Sequence, residues 1–155
     1  MPKDDVLLDI KGLKIQGFSD DRWHDIVKGL DLKLHRGQVM GLIGESGAGK
    51  STLGLAAMGY TQPGCRIIGG SIHFDGVDLA QLPDNQKRKY WGNRMTYVAQ
   101  SAAASFNPAH RLIEQTTRST IRFGIKDKVS AYQDAFGLYD ALNLPEPHTI
   151  GDRYP

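Results

Sequence analysis

Cysteine and net charge are both scarce in this sequence. Cys65 is the only cysteine among 155 residues, so the chain cannot close an internal disulfide or supply a cysteine-rich metal cluster, and a reducing compartment fits best. Lysine and arginine total 19 against 17 acidic residues and form no run, so the basic footprint typical of nucleic-acid-binding proteins is missing. We therefore expect no nucleic-acid partner.

Long apolar segments are also missing. No stretch reaches the ~18 apolar residues that span a bilayer, and residues 1–5 lack the apolar run of a secretory signal. The composition, 40% hydrophobic and 23% charged, is that of a globular chain rather than a disordered or membrane-embedded one. We expect a cytoplasmic protein that reaches a membrane only through a partner.

Hydrophobic periodicity predicts strands first and helices later. Alternating apolar residues at 6–16 and 26–34 predict two half-buried strands joined by a turn at 19–22. Continuous apolar runs predict buried strands at 38–43 and 95–99, and a further strand is predicted at 67–74. Helices are predicted at 50–58, ended by Gly59, at 111–123, and at 129–142, the last starting at Ser130 or Asp127.

A glycine-rich loop lies between a predicted buried strand and a predicted helix, where a phosphate-binding loop belongs. Its glycines allow backbone N–H groups to converge on an anion at the helix start. Lys50 would contact the β- and γ-phosphates, Ser51 would ligate Mg²⁺, and Thr52 would lie near the α-phosphate. The alternative, a chance glycine-rich turn capping an ordinary helix, fits this context poorly. The residues that match G-x-x-x-x-G-K-[ST] are Gly44, Glu45, Ser46, Gly47, Ala48, Gly49, Lys50 and Ser51.

The residues on either side of the loop indicate which family of phosphate-binding proteins the chain resembles. Residues 34–53, LHRGQVMGLIGESGAGKSTL, closely resemble the ATP-binding cassette (ABC) ATPases. Residues 70–79, GSIHFDGVDL, resemble the next strand and turn of that family, and residues 95–100, MTYVAQ, resemble the strand that leads into its Q-loop. Residues 100–108, QSAAASFNP, are similar to the subfamily that drives dipeptide, oligopeptide and nickel importers.

This resemblance implies an α/β fold, a P-loop NTPase with an ABC ATPase-type core. Residues 1–100 would form the N-terminal antiparallel β subdomain, the phosphate loop and the strand to the Q-loop. Residues 101–155 would form the Q-loop and the start of the helical subdomain. The cassette would be incomplete, because the L-S-G-G-Q signature, the acidic Mg²⁺-binding strand, the water-activating Glu and the switch His do not occur in the chain.

The resemblance also implies roles for particular residues. ATP and Mg²⁺ would bind at the loop, with Lys50 and Gln100 as catalytic residues and Ser51 and Gln100 facing the metal. The family stacks adenine on an aromatic side chain ahead of the second strand; Trp23 lies nearest the expected position, with Phe18 as the alternative.

By the same resemblance, the parent protein would energise a membrane importer for peptides or related small solutes. Its partners would be transmembrane permease subunits, a second ATPase subunit in a head-to-tail dimer and, indirectly, a solute-binding protein, at the inner face of the cell membrane. This fragment is expected to bind Mg-ATP weakly and not to hydrolyse it. A soluble cassette ATPase of DNA repair or translation, a phosphoryl-transfer kinase and a catalytically inactive binding module remain alternatives.

Overall fold

The fold is described by a computed structural model that covers residues 5–101 and 105–155. It divides into two compact units, one ending at Trp91 and one running from Gly92 to Pro155. In the described part of the chain, no helix combines the length and the apolar character needed to cross a membrane. The first unit contains β1 (Val6–Ser19), β2 (Arg22–His35), α1 (Lys50–Ala57), β3 (Cys65–Phe74), β4 (Val77–Asp78) and α2 (Asp84–Lys87). The second contains α3 (Leu112–Arg122), α4 (Lys128–Ala141) and a short 3₁₀ helix (Ile150–Asp152).

The first unit is built on an antiparallel sheet with strand order β2-β1-β3-β4. The predicted hairpin is confirmed and is longer than expected, since β1 and β2 pair as far as Ser19 and Arg22. Asp20 and Asp21 form the turn with positive φ angles of 50° and 57°. A two-residue loop in which both residues are left-handed matches the right-handed twist of the strands on either side, and Asp tolerates this conformation.

A β-bulge explains why the apolar residues of β1 skip a position. Ile10 pairs with Leu32, but the next pair toward the turn joins Leu13 to Leu30, so β1 carries one extra residue there. The bulge returns Leu13 and Ile15 to the buried face after Ile10. Without the bulge, the three-residue spacing from Ile10 to Leu13 would place Leu13 and Ile15 on the solvent-facing side of the strand. The core of this unit joins that face to β3 and α1: Leu8, Ile10, Leu13, Ile15, Val27, Leu53, Leu55, Ala56, Ile72, Phe74 and Leu79.

Two strand predictions are wrong. Residues 38–43 and 95–99 contain no β-strand in the structure. The side chain of Val39 is 95% exposed and that of Val98 is 90% exposed, although both segments are apolar enough for a sheet interior. A strand needs a hydrogen-bonded neighbour, and in the described residues the antiparallel sheet provides none for either segment.

The second unit is a helical pair whose helices were both predicted within a few residues. Ile113 of α3 packs with Ala135 and Tyr139 of α4 in a small buried cluster. The hydroxyl of Tyr139 donates to Oγ1 of Thr116 at 2.8 Å, which ties the two helices together. The predicted start of α4 is confirmed, because the carboxylate of Asp127 accepts hydrogen bonds from the backbone N–H and the hydroxyl of Ser130.

Candidate functional site

The glycine-rich loop leads directly into α1, as the sequence predicted. Gly47 and Gly49 both have a φ of 82°, in the left-handed region that residues with a Cβ rarely adopt. Gly49 is the N-cap of α1, and the helix begins at Lys50 without a side-chain cap. Two glycines at left-handed positions therefore curl the loop around the amino end of a helix.

The amino end of α1 leaves its backbone donors available. The N–H of Leu53 donates to the carbonyl oxygen of Gly49 at 2.8 Å, which is the first helical hydrogen bond. The N–H groups of Lys50, Ser51 and Thr52 have no acceptor among the described residues. Unpaired donors at a helix amino end carry a partial positive charge, so this end of α1 is suited to an anion.

Lys50 lies across the loop. Its ammonium group donates to the carbonyl oxygen of Gly44 at 2.7 Å and to that of Glu45 at 2.6 Å. The ammonium group of Lys50 is thus bound by two carbonyl groups at the start of the loop. This arrangement keeps a positive charge next to the free donors of α1.

Ile26 connects the loop to the hairpin. A Cβ added at Gly49 would lie 3.0 Å from Cγ2 of Ile26, and one added at Gly17 would lie 2.6 Å from Cδ1 of the same side chain. Ile26 also lines an open cleft of about 490 Å³ together with Val27, Gly49 and Lys50. Sequence reasoning missed Ile26, because its role depends on packing between two segments that are distant in the chain.

Phe18 and Trp23, the two candidates for adenine stacking, face each other across the hairpin. Their ring centroids are 5.2 Å apart at a tilt of 58°. The guanidinium of Arg66 lies 3.8 Å from the centroid of the Trp23 ring and also donates to Oε1 of Gln16. Phe18 is 50% exposed and Trp23 38%. One face of Trp23 therefore already has a partner, while Phe18 is the more open ring.

The metal-binding prediction names Ser51 and Gln100, and Ser51 is exposed at the start of α1. Among the residues that the structure describes, no three His, Cys, Asp or Glu side chains converge as a metal site. Asp78 has a structural role, because its carboxylate accepts from the backbone N–H groups of Ile72 and Ala80. A Mg²⁺ ion at Ser51 would depend on oxygen atoms of the nucleotide for most of its ligands.

Gln100 belongs to the second unit and is exposed. Residues 102–104 of the predicted Q-loop segment lie outside the described residues. Beyond them, Oε1 of Gln115 accepts from the N–H of Asn107 at 2.8 Å, and its Nε2 donates to the carbonyl oxygens of Asn107 and His110. Sequence reasoning missed Gln115; the available signal was the Asn-Pro pair, which marks a turn. A shared site for Gln100, Lys50 and Ser51 stays a prediction.

Comparison with known proteins gives one consistent family. The chain matches the ABC transporter family over residues 27–150. It is 30% identical over 151 residues to the oligopeptide transport ATP-binding protein OppD of Escherichia coli (strain K12), covering 97% of this chain and 44% of that protein. It is 32% identical over 151 residues to the oligopeptide transport ATP-binding protein AppD of Bacillus subtilis (strain 168), covering 97% of this chain and 46% of AppD. The chain thus spans less than half the length of these relatives.

A solved structure shows the same fold. The dimeric structure of a post-hydrolysis state of the ATP-binding cassette MJ0796 bound to ADP and Pi aligns with a TM-score of 0.76 at 17% identity. The alignment covers 96% of this chain and 61% of that one. The predicted fold, an incomplete cassette of the ABC ATPase type, is confirmed.

Proposed function

Because the chain belongs to the ABC transporter family, we propose that it is the nucleotide-binding part of an ATPase subunit that powers import of peptides or related small solutes. The names of the relatives support the solute class, since OppD and AppD are oligopeptide transport ATP-binding proteins. Hydrolysis of ATP is proposed for the longer protein of which this chain would be a part.

The observation that carries the proposal is the set of unpaired N–H groups at Lys50, Ser51 and Thr52, with a lysine cation beside them. These donors fit a triphosphate, because phosphate oxygens accept several hydrogen bonds and carry negative charge. On binding, the ammonium of Lys50 would exchange the carbonyl oxygens of Gly44 and Glu45 for phosphate oxygens. The residues 44–52 would then enclose the phosphates, and Ser51 would hold Mg²⁺.

The adenine base is proposed to stack on the aromatic pair of the hairpin. Arg66 covers one face of Trp23, so Phe18 is the better platform and Trp23 supports it from the side. Ile26, which packs against both Gly17 and Gly49, links this pair to the loop. Base stacking on an aromatic ring is sequence-independent and contributes about 1–3 kcal/mol.

Hydrolysis of ATP is proposed to require residues in addition to those of this chain. A phosphoryl transfer needs a positioned water as well as charge neutralisation, and Lys50 supplies the second. Gln100 is proposed to face Mg²⁺ and the attacking water. We expect the chain alone to bind Mg-ATP weakly and to show no turnover.

The partners proposed for the longer protein are permease subunits in the membrane and a second ATPase subunit. The solved structure of MJ0796 is a dimer, which supports the second of these. A peripheral position on the inner face of the cell membrane follows from the permease partners. A solute-binding protein would act through the permease.

The test is Mg-ATP binding to the chain and to Lys50→Ala, measured by calorimetry. Losing a charge-assisted hydrogen bond costs about 1.5–3 kcal/mol, so the affinity should fall roughly tenfold to a hundredfold. Lys33→Ala is the matched control, since Lys33 is an exposed lysine of β2. Equal affinity for Lys50→Ala and Lys33→Ala would refute the loop as the phosphate site.

ATP hydrolysis is assayed in the same samples. Turnover by the unsubstituted chain would mean that a water-activating base lies within these 155 residues, against the proposal. Absence of turnover together with Lys50-dependent binding is the expected result.

The base platform is tested by comparing Phe18→Ala with Trp23→Ala. We expect Phe18→Ala to weaken Mg-ATP binding by about tenfold, in line with the loss of one base stack, and Trp23→Ala to weaken it less. Pyrophosphate, which has no base, should bind both variants like the original chain. A larger loss at Trp23 would assign the stacking to that ring instead.

A further inference from the structure

Gln16 lies between two polar neighbours on the central strand of the hairpin. In the strand register, it pairs with Asp25 of β2 on one side and with Arg66 of β3 on the other. Side chains directly opposite each other in adjacent strands point to the same face of a sheet. Phe18 and Trp23 pair two residues farther along β1, so they share that face. The three polar side chains and the two aromatic rings are therefore neighbours.

Hydrogen bonds connect the three polar side chains in a fixed order. Nε2 of Gln16 donates to Oδ1 of Asp25 at 2.9 Å. Oε1 of Gln16 accepts from Nε of Arg66 at 3.2 Å and from its Nη2 at 2.9 Å. A reversed amide would place NH₂ against the guanidinium and oxygen against the carboxylate, so the two neighbours determine how the amide is oriented.

Arg66 reaches from β3 to a ring on β2. Because β1 lies between these two strands in the sheet, the side chain of Arg66 crosses the central strand at Gln16. Its guanidinium carbon lies 3.8 Å from the centroid of the Trp23 ring. The contact with Trp23 therefore depends on an extended side chain that passes the amide of Gln16.

Attraction to the ring does not by itself account for this arrangement. Arg66 is exposed, and Trp23 is 38% exposed. At exposed sites, a cation–π contact contributes less free energy than an arginine side chain loses in rotamer entropy when it is ordered. Two hydrogen bonds to Gln16 add to the attraction, and Asp25 keeps their acceptor in place. Gln16 thus holds the cation over the ring.

The position of Arg66 bears on where a base can stack. The centroids of the Phe18 and Trp23 rings are 5.2 Å apart, so a base that reaches one ring is within reach of the other. A guanidinium and a base cannot occupy the same face of Trp23. The ring that receives the base therefore depends on whether Arg66 stays in place.

We propose that Gln16 is a positioning residue of the base platform. Held by Asp25, it keeps Arg66 over Trp23 and thereby assigns the base to Phe18. This inference rests on the proposed function, in which adenine stacks on the aromatic pair. It adds that the choice between the two rings is made by a glutamine that acts through an arginine.

The test measures by calorimetry what each ring contributes to Mg-ATP binding, with and without Gln16→Leu. In the original chain, Phe18→Ala should weaken binding by about tenfold and Trp23→Ala by less. Leucine is similar in size to glutamine but forms no hydrogen bond, so Gln16→Leu should release Arg66 from Trp23. The loss at Phe18→Ala should then shrink to about threefold or less, and the loss at Trp23→Ala should grow to about threefold or more.

Three further substitutions separate positioning from a general effect on the sheet. Gln16→Glu keeps an acceptor for Arg66 and makes the hydrogen bond charge-assisted, so both losses should match those of the original chain. Gln81→Leu, at an exposed glutamine of the same unit, is the matched control and should also leave them unchanged. Arg66→Ala removes the cation directly and should reproduce the exchange between the rings. Pyrophosphate, which has no base, should bind all of these variants like the original chain.

Nuclear magnetic resonance gives a readout that needs no nucleotide. The chain has two tryptophans, and Trp23→Ala identifies the indole N–H signal of Trp23. That signal should shift in Gln16→Leu and in Arg66→Ala, and should stay close to its original position in Gln16→Glu. Circular dichroism checks that each variant is folded, with Gln16→Ala as the second variant if Gln16→Leu is not.

Equal losses at each ring in Gln16→Leu and in the original chain would overturn the positioning role and leave the proposed function intact. An exchange between the rings in Arg66→Ala but not in folded Gln16→Leu would overturn it as well. If Phe18→Ala cost nothing in the original chain while Lys50→Ala still weakened binding, the aromatic platform itself would be wrong, and this inference would fall with it.

Discussion

Helices α1 and α4 begin in opposite ways. The N-cap of α4 is Asp127, whose carboxylate accepts from the N–H of Ser130, so part of the helix end is satisfied by the chain itself. The N-cap of α1 is Gly49, which has no side chain, and the donors of the first turn stay unpaired within the described residues. Both helices begin with N–H groups that have no partner within the helix. A side chain satisfies one of these groups in α4, whereas in α1 they stay available for the proposed ligand.

The difference shows how a binding site can be distinguished from a structural cap. A helix that only needs to be stable gains from Asp, Asn, Ser or Thr at its first position. A glycine there gives up that stabilisation and, in this chain, also adopts a left-handed conformation. The cost is offset only when an external anion takes the donors, which is the function proposed for the loop.

The largest effect is expected when α1 is given the cap of α4. Gly49→Asp places a carboxylate among the proposed phosphate contacts, on a residue whose φ is 82° and whose Cβ would lie 3.0 Å from Ile26. We expect the affinity for Mg-ATP to fall by about a hundredfold, or roughly 3 kcal/mol. Calorimetry measures the affinity, and circular dichroism checks the fold.

Gly54→Asp is the control for that substitution. Gly54 belongs to the same helix, and a Cβ there meets nothing within 4 Å. Its Mg-ATP affinity should stay near that of the original chain. If both aspartates reduced binding equally, general repulsion by the added charge would explain the loss, and the contrast between the two helix starts would not hold.

A smaller effect is expected when the cap of α4 is removed. Asp127→Ala leaves the N–H of Ser130 without its acceptor, so the urea midpoint of unfolding should decrease. Mg-ATP binding should be unchanged, because Asp127 is not among the residues proposed to contact the nucleotide and its carboxylate is used by Ser130. Asp140→Ala, near the carboxyl end of the same helix, should not destabilise, since a carboxylate there opposes the helix dipole. An unchanged midpoint in Asp127→Ala would show that this cap contributes nothing measurable.

The smallest effect concerns pH. Hydrogen bonds from Ser130 hold the pKa of Asp127 below its ordinary value of 3.8. The stabilisation is therefore complete above that value and is lost as the pH falls through the lower, folded pKa. Asp127→Asn keeps a capping side chain that does not titrate, so its unfolding midpoint should depend less on pH below about 4. Identical acid dependence in the two proteins would exclude Asp127 as a contributor.

Much of the fold was predictable because it is local. The β1–β2 hairpin, the loop, and helices α1, α3 and α4 all follow from alternation, turn residues and caps within a few positions of each other. The bulge in β1 was present in the sequence as the three-residue step from Ile10 to Leu13, but its meaning depended on the strands that pair on both sides.

The two wrong strands show the limit of this reasoning. Ile15 and Ile43 are the same residue type in similarly apolar segments, yet Ile15 is fully buried and Ile43 is fully exposed. Hydrophobicity predicts that a segment prefers burial, but only a neighbouring strand provides the hydrogen bonds that make it part of a sheet. In the described residues, β1 has two such neighbours, and residues 38–43 have none.

By itself, the sequence determined the phosphate-loop motif and the family that the chain resembles, and it supplied the residues proposed to contact a nucleotide, because these depend on residue type and spacing along a short segment. Tertiary structure alone decided that Ile26 packs against both Gly17 and Gly49 and that Arg66 covers Trp23. These contacts join residues far apart in the chain, so they exist only once the backbone has brought their segments together.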